Sequence, residues 1–533
     1  MYLIFLVGMA LADTPTLPNV SIACTRDLAR VTVQPPAGQH IEADSPVSGW
    51  LEPSGGPRWQ VATDGRGLSE GLLVAVGKDP RHLASALRVS LCSDTGNTCR
   101  PVDIGFDVDL PTRKGTLLVT PYVPREEEKA APTPRYGVSV DAAMAKAKAE
   151  DKRVLIDFGA VWCPPCNLLA ATVLEDPANA PDLAGFVVVG IDSDAPESWT
   201  LKSRYHVTGY PTIIATNADG TELDRLVGFD TEPEFLDWLH AVGKGPALSA
   251  LPAPGASDPS VDLAIALRLL GAGREAEAGP YLDALSPARA PALQDNLDLR
   301  TARFLVAPSR DGLLWLLAHG APVSDWMYAG LDLCAKDAEL RAAVRSAVEL
   351  ALPHATPTGA ADLLDGLGTL SEQDGGKDAH ALWISAALLL ESAVNADPSL
   401  RRAYGTSIAE LYARGGALDE ASRVLREDMT IYPAEFTWPY ALADLLLDAG
   451  KPADALEYAL AAQTASYGDN RLRAVDLVAR VMDALGRGRE ALGIIDEAVA
   501  NAPKPGDDLD VRTHRYLQKL ADTRASIAAK LGP

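Results

Sequence analysis

Two cysteines, Cys163 and Cys166, close the stretch VLIDFGAVWCPPC at residues 154–166, with two prolines between them. Thiols at this spacing can exchange a disulfide or supply half of a tetrahedral metal site. A metal needs further ligands at comparable spacing, and the sequence offers none: Cys92 and Cys99 have six residues between them, and the eight histidines are scattered. Dithiol redox chemistry, with neither metal nor cofactor, is the expectation. The thiolate is the reactive form, so the question is what stabilises its charge. Val154, Leu155, Ile156 and Phe158 form a short, apolar, partly β-branched run, the pattern of a buried central strand, and a helix is expected after it. Cys163 then stands at a helix N-terminus, where unpaired N–H groups and the helix dipole favour the thiolate. It is read as the exposed attacking nucleophile, and Cys166, one turn later, as the resolving thiol. Asp157 sits inside the same apolar strand, where burial disfavours an ionised carboxylate and suits it to proton transfer.

The elements that must hold this pair follow downstream. Residues 186–192 (FVVVGID) read as a second strand, residues 205–211 (YHVTGYP) as a loop approaching the cysteines, and Thr212 to Ala215 as a third strand, giving a βαβ arrangement. With the tokens WCPPC and GYPT in place, residues 139–242 resemble the thioredoxin superfamily. The resemblance implies that Pro211 is cis and packs beside the cysteines, leaving the backbone of Tyr210 to pair with substrate. It makes Asp157 the buried acid beneath the resolving cysteine and lays Trp162 over the active-site loop. Within the superfamily the segment is similar to the C-terminal periplasmic domain of the thiol:disulfide interchange protein DsbD, through the helix Ser139 to Glu150, Lys152-Arg153, EDPANAPDL and a late Gly228-Phe229. It departs in its Pro-Pro dipeptide, in Asn167 where thioredoxins often carry lysine, and in Gly159 where thioredoxin has tryptophan. With no cation inside CPPC, the expected potential lies toward the reducing end of roughly −270 to −120 mV. His206, in the approach loop, is read as a solvated loop histidine.

Ahead of this domain, residues 29–36, 47–52, 72–76, 86–91, 103–110 and 116–120 read as short strands between Gly, Pro and Asp clusters. Ile104, Phe106, Val108 and Leu110 alternate with polar or small residues, as in a strand with one buried face. The expected fold of residues 20–120 is a β-sandwich. Within it, Cys92 and Cys99 flank a turn-rich loop that a disulfide could close. The segment resembles the immunoglobulin-like N-terminal domain of DsbD, which implies a secondary redox pair whose Cys99 accepts attack from Cys163. A static structural disulfide is the other reading, and both stand at this point.

Residues 121–138 (PYVPREEEKAAPTPRYGV) are expected to be a linker, with Glu126 to Glu128 a solvated spacer. Residues 1–12 end in a small-residue pattern after the apolar run YLIFLVGMALA and read as an export signal, which with two cysteine pairs points to a periplasmic location. No later apolar run reaches the roughly 20 residues of a membrane-spanning helix. Cys24 lacks a lipid-anchor context, and Cys334 reads as a small buried apolar residue.

Residues 256–533 are rich in Ala and Leu and read as amphipathic helices. Ala421, Ala455 and Ala491 recur at spacings of 34 and 36 residues; twelve residues before each lies Ala409, Ala443 or Ala479, and twelve after lies Pro433, Tyr467 or Pro503. These match the small, small and proline positions of tetratricopeptide repeats, with Tyr467 the departure. GREAEAGPYLDAL near residue 280 and the helix ending in NADPS near residue 395 suggest degenerate earlier repeats. The whole chain is therefore expected to be multidomain: a β-sandwich, a thioredoxin-like α/β domain over 139–245, and an all-α repeat superhelix whose concave face takes a protein or peptide ligand. The net charge of −24 argues against nucleic acid as a partner. The functional expectation is an exported thiol-disulfide oxidoreductase acting on client proteins, fed by a separate thiol donor. The alternative is a repeat-based scaffold with an accessory redox domain.

Overall fold

The computed structural model describes residues 17–124 and 139–531, apart from 26–27, 44, 54–58, 77–80, 96–98, 112–113, 196–197, 249 and 503–510. The expected export signal, most of the expected linker and Pro503 lie outside the described residues.

Among the described residues the N-terminal domain has nine strands. One sheet holds β1 (Asn19–Cys24), β2 (Leu28–Gln34), β6 (Leu72–Ala75) and β9 (Gly115–Val119), in the order β6-β2-β1-β9. The other holds β3 (Gln39–Ile41), β4 (Pro46–Pro53), β5 (Trp59–Asp64), β7 (His82–Ser93) and β8 (Cys99–Asp109). The long strand β7 takes β3 and β4 along one edge and β8 along the other. Val20, Ile22, Val31, Val61, Leu83, Leu87, Ile104 and Phe106 meet between the sheets as a sealed core. The alternation in residues 103–110 is thus borne out as half of β8. Sequence reading did not mark β1, β3 or β5. Of these, β3 has only three residues, too few for a period-2 signal to emerge. The linker boundary needs correction, because Tyr122 exchanges both backbone hydrogen bonds with Gly105 at 2.7 and 2.8 Å and so belongs to the β domain.

The central domain has a four-stranded sheet of β10 (Arg153–Gly159), β11 (Phe186–Asp192), β12 (Thr212–Thr216) and β13 (Glu222–Val227), ordered β11-β10-β12-β13. β10 and β11 run parallel, while β12 and β13 are antiparallel to their neighbours. Strand β10 is central and buried along nearly all its length, as its apolar run requires, with Asp157 the buried carboxylate within it. The helix Val140–Glu150 packs on one face of the sheet and Glu232–Ala241 on the other.

From Pro259 onward the described residues form helices and turns, with successive helices packed in pairs. The repeat register holds: Ala421, Ala443, Ala455, Ala479 and Ala491 are fully buried and Ala409 nearly so, each where two helices approach closely. Helix Ala379–Ala396 has the length and apolar composition of a membrane span, but it packs between Pro357–Gln373 and Arg401–Arg414 and buries Trp383, Ala386, Ala387 and Leu390 in the repeat core. Cys334 is fully buried, as expected, and burial pushes its thiol up to about 11.

The helical half holds both other domains. Helix Pro452–Ala465 lies against β5 and β6, with Trp59 edge-on to Tyr458 at 6.2 Å. Arg471 pairs with Asp64 and lies 3.5 Å from Glu70, and Arg30 reaches Glu497 at 2.7 Å. On the other side Arg268 pairs with Asp224 of β13 at 2.8 Å.

Candidate active site

β10 delivers the chain to the cysteine pair. After Gly159 the backbone turns, and Cys163 becomes the N-cap of helix Pro164–Leu169, with its sulfur accepting the Cys166 N–H at 3.3 Å. Proline fits the first helical positions because its missing N–H would have no partner there. The helix continues as a π turn over Ala170–Leu174. The two sulfurs are joined as a disulfide. The Tyr210–Pro211 bond is cis, and the Tyr210 ring stands edge-on to Trp162 at 6.1 Å. Ala160, Cys163 and Cys166 form one buried cluster with Trp162 and Tyr210 against it. The structure therefore brings together Cys163, Cys166, Trp162, Tyr210 and Pro211, and Asp157 is buried on the strand that leads to them. His206 stays outside this group, an exposed residue at positive φ.

One expectation is overturned. Cys163 is not exposed: only 3% of its surface is accessible. Trp162 and Tyr210 pack against it, and the repeats, expected as a separate module, dock on the residues around it. Asn167 donates to the Val161 carbonyl at 2.9 Å and to the Arg402 carbonyl at 3.2 Å. Its place in a position where a lysine would project becomes an inter-domain fastening. Arg512 reaches in from helix Val511–Leu531; its guanidinium lies 4.9 Å from the Trp162 ring centre and 5.4 Å from that of Tyr210, and pairs with Asp194 at 2.9 Å. Asp194 in turn accepts from the Trp162 indole N–H at 2.7 Å. Arg473 adds a second guanidinium 5.9 Å from Trp162.

Beside this clasp, Tyr467 donates its hydroxyl to Asp192, and Gly468, at φ +54°, lies against Asp194 so closely that a Cβ would stand 1.8 Å from its carbonyl oxygen. Tyr467 is the residue that replaces proline in the repeat pattern. The departure marked a docking point, a signal visible in the sequence but unread. Asp192 and Asp194, by contrast, were not singled out in the sequence.

Burial and the neighbouring Asp194 push the Asp192 carboxyl up to about 7, against the opposing hydrogen bond from Tyr467. Between about pH 4 and pH 7 the docked state therefore holds a proton that an unfolded chain releases, so stability is greatest below that range and falls as pH rises through it. Above about 7 the contribution is flat. The midpoint of thermal unfolding, followed from pH 5 to pH 8, is expected to fall with pH, and Asp192→Asn is expected to remove much of that slope, a change of up to a few kcal/mol. An unchanged slope in the variant would place the titrating group elsewhere.

In the β domain Cys92 and Cys99 are directly opposed on β7 and β8 and form a disulfide with Cα atoms 4.0 Å apart. Cys92 is buried and Cys99 exposed. Cys24 is a buried free cysteine of β1 whose thiol is pushed up by burial. Among the described residues, His40, Glu42 and Cys92 place ligand atoms within 4.8 Å of one another, but the Cys92 sulfur is committed to the disulfide.

Comparison with known proteins places these observations. Residues 140–243 match the thioredoxin-like domain family. Over 106 residues the chain is 33% identical to the thiol:disulfide interchange protein DsbD of Neisseria meningitidis, covering 19% of this chain and 18% of that protein. It is 39% identical over 88 residues to an H-type thioredoxin of Oryza sativa, covering 16% of this chain and 67% of that one. Among solved structures, the oxidised C-terminal domain of N. meningitidis DsbD is 32% identical and covers 19% of this chain and 92% of the domain, with a TM-score of 0.18. The chain spans less than a fifth of the length of the DsbD proteins it matches.

Proposed function

Because the chain belongs to the thioredoxin family through its central domain, we propose that it is a thiol-disulfide oxidoreductase that reduces or exchanges disulfides in client proteins. The observation that carries this reading is the Cys163–Cys166 disulfide at the start of a helix, behind β10 and beside cis-Pro211. In the reduced enzyme the Cys163 thiolate, stabilised by the helix N-terminus and the Cys166 N–H, attacks a client disulfide and releases one client thiolate. Cys166, losing its proton with Asp157 as the base, then attacks Cys163 and frees the second client thiol. The client gains two electrons, and the enzyme returns to the disulfide described above.

Export to the periplasm belongs to this proposal and rests on residues 1–12. So does a relay of electrons from Cys163 to Cys99, supported by the exposure of Cys99 within its disulfide. The repeats are proposed to present the client. A cavity of about 890 Å³ lies among helices Arg401–Arg414, Leu418–Ile431, Thr437–Asp448 and Asp469–Ala484, and Trp162, the residue before Cys163, forms part of its wall. The same cavity is the feature that favours the scaffold alternative, in which the repeats carry the biology and the disulfide is accessory.

Cys166→Ser is expected to strand a mixed disulfide at Cys163, and non-reducing peptide mass spectrometry of the protein expressed with its N-terminal segment identifies what is bound. A separate protein on Cys163 supports the oxidoreductase reading, and a bond to Cys99 supports the relay. Absence of any trapped species would move the weight to the scaffold.

A further inference from the structure

We propose that His40 is the proton donor to Cys92 when an incoming dithiol opens the Cys92–Cys99 disulfide at Cys99. This goes beyond the reading above and does not depend on which thiol delivers the electrons.

The placement comes from strand register. His40 of β3 is the partner of Cys92 on one edge of β7, and Cys99 of β8 is the partner of Cys92 on the other. Directly opposed residues of antiparallel strands project to the same face, so the three side chains form one row with Cys92 in the middle. A ring nitrogen of His40 lies within 4.8 Å of the Cys92 sulfur and of a Glu42 carboxylate oxygen. Asp94, two residues beyond Cys92, meets His40 Nδ1 at 2.8 Å, and Glu42, two residues beyond His40, lies 3.6 Å from Nε2. These carboxylates favour the imidazolium: the hydrogen bond to Asp94 is the main cause holding His40 above its ordinary value. The charged and titratable groups around the ring are Asp94 at the end of β7, Glu42 next to its own strand, and the two cysteines.

The chemistry needs such a group. Cys99 is exposed and Cys92 is 3% exposed, so an external thiolate reaches Cys99 and the electron pair of the broken S–S bond departs on Cys92. A buried thiolate is poorly solvated and therefore a poor leaving group. The step balances as follows. The thiolate of an external dithiol bonds to the Cys99 sulfur, the Cys99–Cys92 bond breaks, and Cys92 takes the proton from the His40 imidazolium. The second thiol of the reagent then displaces Cys99, leaving an oxidised reagent and two protein thiols, and His40 is reprotonated from water. His40 is half exposed, so that last transfer is open to solvent.

Dithiothreitol is a sufficient probe. Reduction of the full-length protein is followed from pH 5.5 to 9 by alkylation and peptide mass spectrometry, which scores Cys92 and Cys99 separately from Cys163 and Cys166. The rate constant is divided by the thiolate fraction of the reagent. In the unaltered protein this corrected rate is expected to fall roughly tenfold from the acid to the alkaline side of the His40 titration. In His40→Gln it is expected to be flat and roughly tenfold lower at the acid end. Asp94→Asn, which keeps the imidazole, is expected to retain the acid-side rate and move the fall to lower pH. A His40→Gln profile with the same pH shape as the unaltered protein, at any absolute rate, overturns the proposal. Because the readout excludes Cys163 and Cys166, failure here leaves the proposed function standing, and failure there leaves this result standing.

Discussion

Arg512→Ala is expected to speed the reduction of the Cys163–Cys166 disulfide about 100-fold. The side chain is almost wholly buried, lies against both aromatic rings of the site and pairs with Asp194, itself sealed from solvent. Removing one member of a buried ion pair leaves the other charge uncompensated and costs about 3–5 kcal/mol. Cys163 is 3% exposed and packs with Trp162 and Tyr210, the two rings that Arg512 lies against, so loosening this clasp is expected to open the way to the disulfide. If about 3 kcal/mol of the loss falls on the closed arrangement, the open fraction rises by somewhat more than 100-fold, since about 1.4 kcal/mol is a factor of ten. Timed alkylation during dithiothreitol reduction reads this directly. Arg512→Lys keeps a charge but loses the planar fork that both stacks and pairs, and is expected to fall between the two. Equal rates in all three proteins would mean that the disulfide is attacked without domain separation.

Cys163→Ser is expected to lower client-disulfide reduction by more than about 10³-fold. A serine hydroxyl is barely ionised at neutral pH, whereas a thiol at a helix start is ionised substantially and is intrinsically a far better nucleophile. Cys166→Ser leaves the first attack intact and blocks only release, so the two variants separate by their products: nothing bound in the first, a trapped partner in the second. Free-thiol release from a disulfide-bonded protein substrate checks the rate. Activity that survives Cys163→Ser would place the working pair at Cys92 and Cys99, and the His40 variants would then become the test of the whole reaction.

The redox centre was legible because its parts are close in sequence or bear distinctive residues. A strand apolar but for Asp157, a cysteine pair and a proline after an aromatic residue are local signals, and the structure places the three side by side. The repeat register was equally legible, since close helix approach demands small side chains at fixed intervals and the alanines at 421, 455 and 491 are fully buried. What could not be read was the docking of the repeats beside the pair. Arg512 and Arg473 lie against Trp162 and the Arg402 carbonyl holds Asn167, residues more than 230 positions from Cys163, and nothing in an arginine on a helix says which domain it faces. Strands β1, β3 and β5 were missed for other reasons. β1 does alternate, with Val20, Ile22 and Cys24 buried, a signal left unread, while β3 and β5 owe their existence to their partners β7 and β4 and not to a pattern of their own. The row His40, Cys92, Cys99 is a product of that pairing and was invisible until the register was known.

Arrays of helical repeats ordinarily tolerate gain or loss of whole units, because each unit touches only its neighbours. The segment from Thr437 to Asn501 breaks that rule. Its Thr464 and Arg471 grip the β domain while its Tyr467 and Arg473 grip the redox domain. It is the keystone of an arch, and the units on either side of it are not interchangeable parts. Inserting one more unit before Thr437 would carry the Arg402 contact away from Asn167 while leaving the keystone seated. The length of this array is consequently held constant by the domains it joins, and such a protein can diversify by changing the faces of its repeats but not their number.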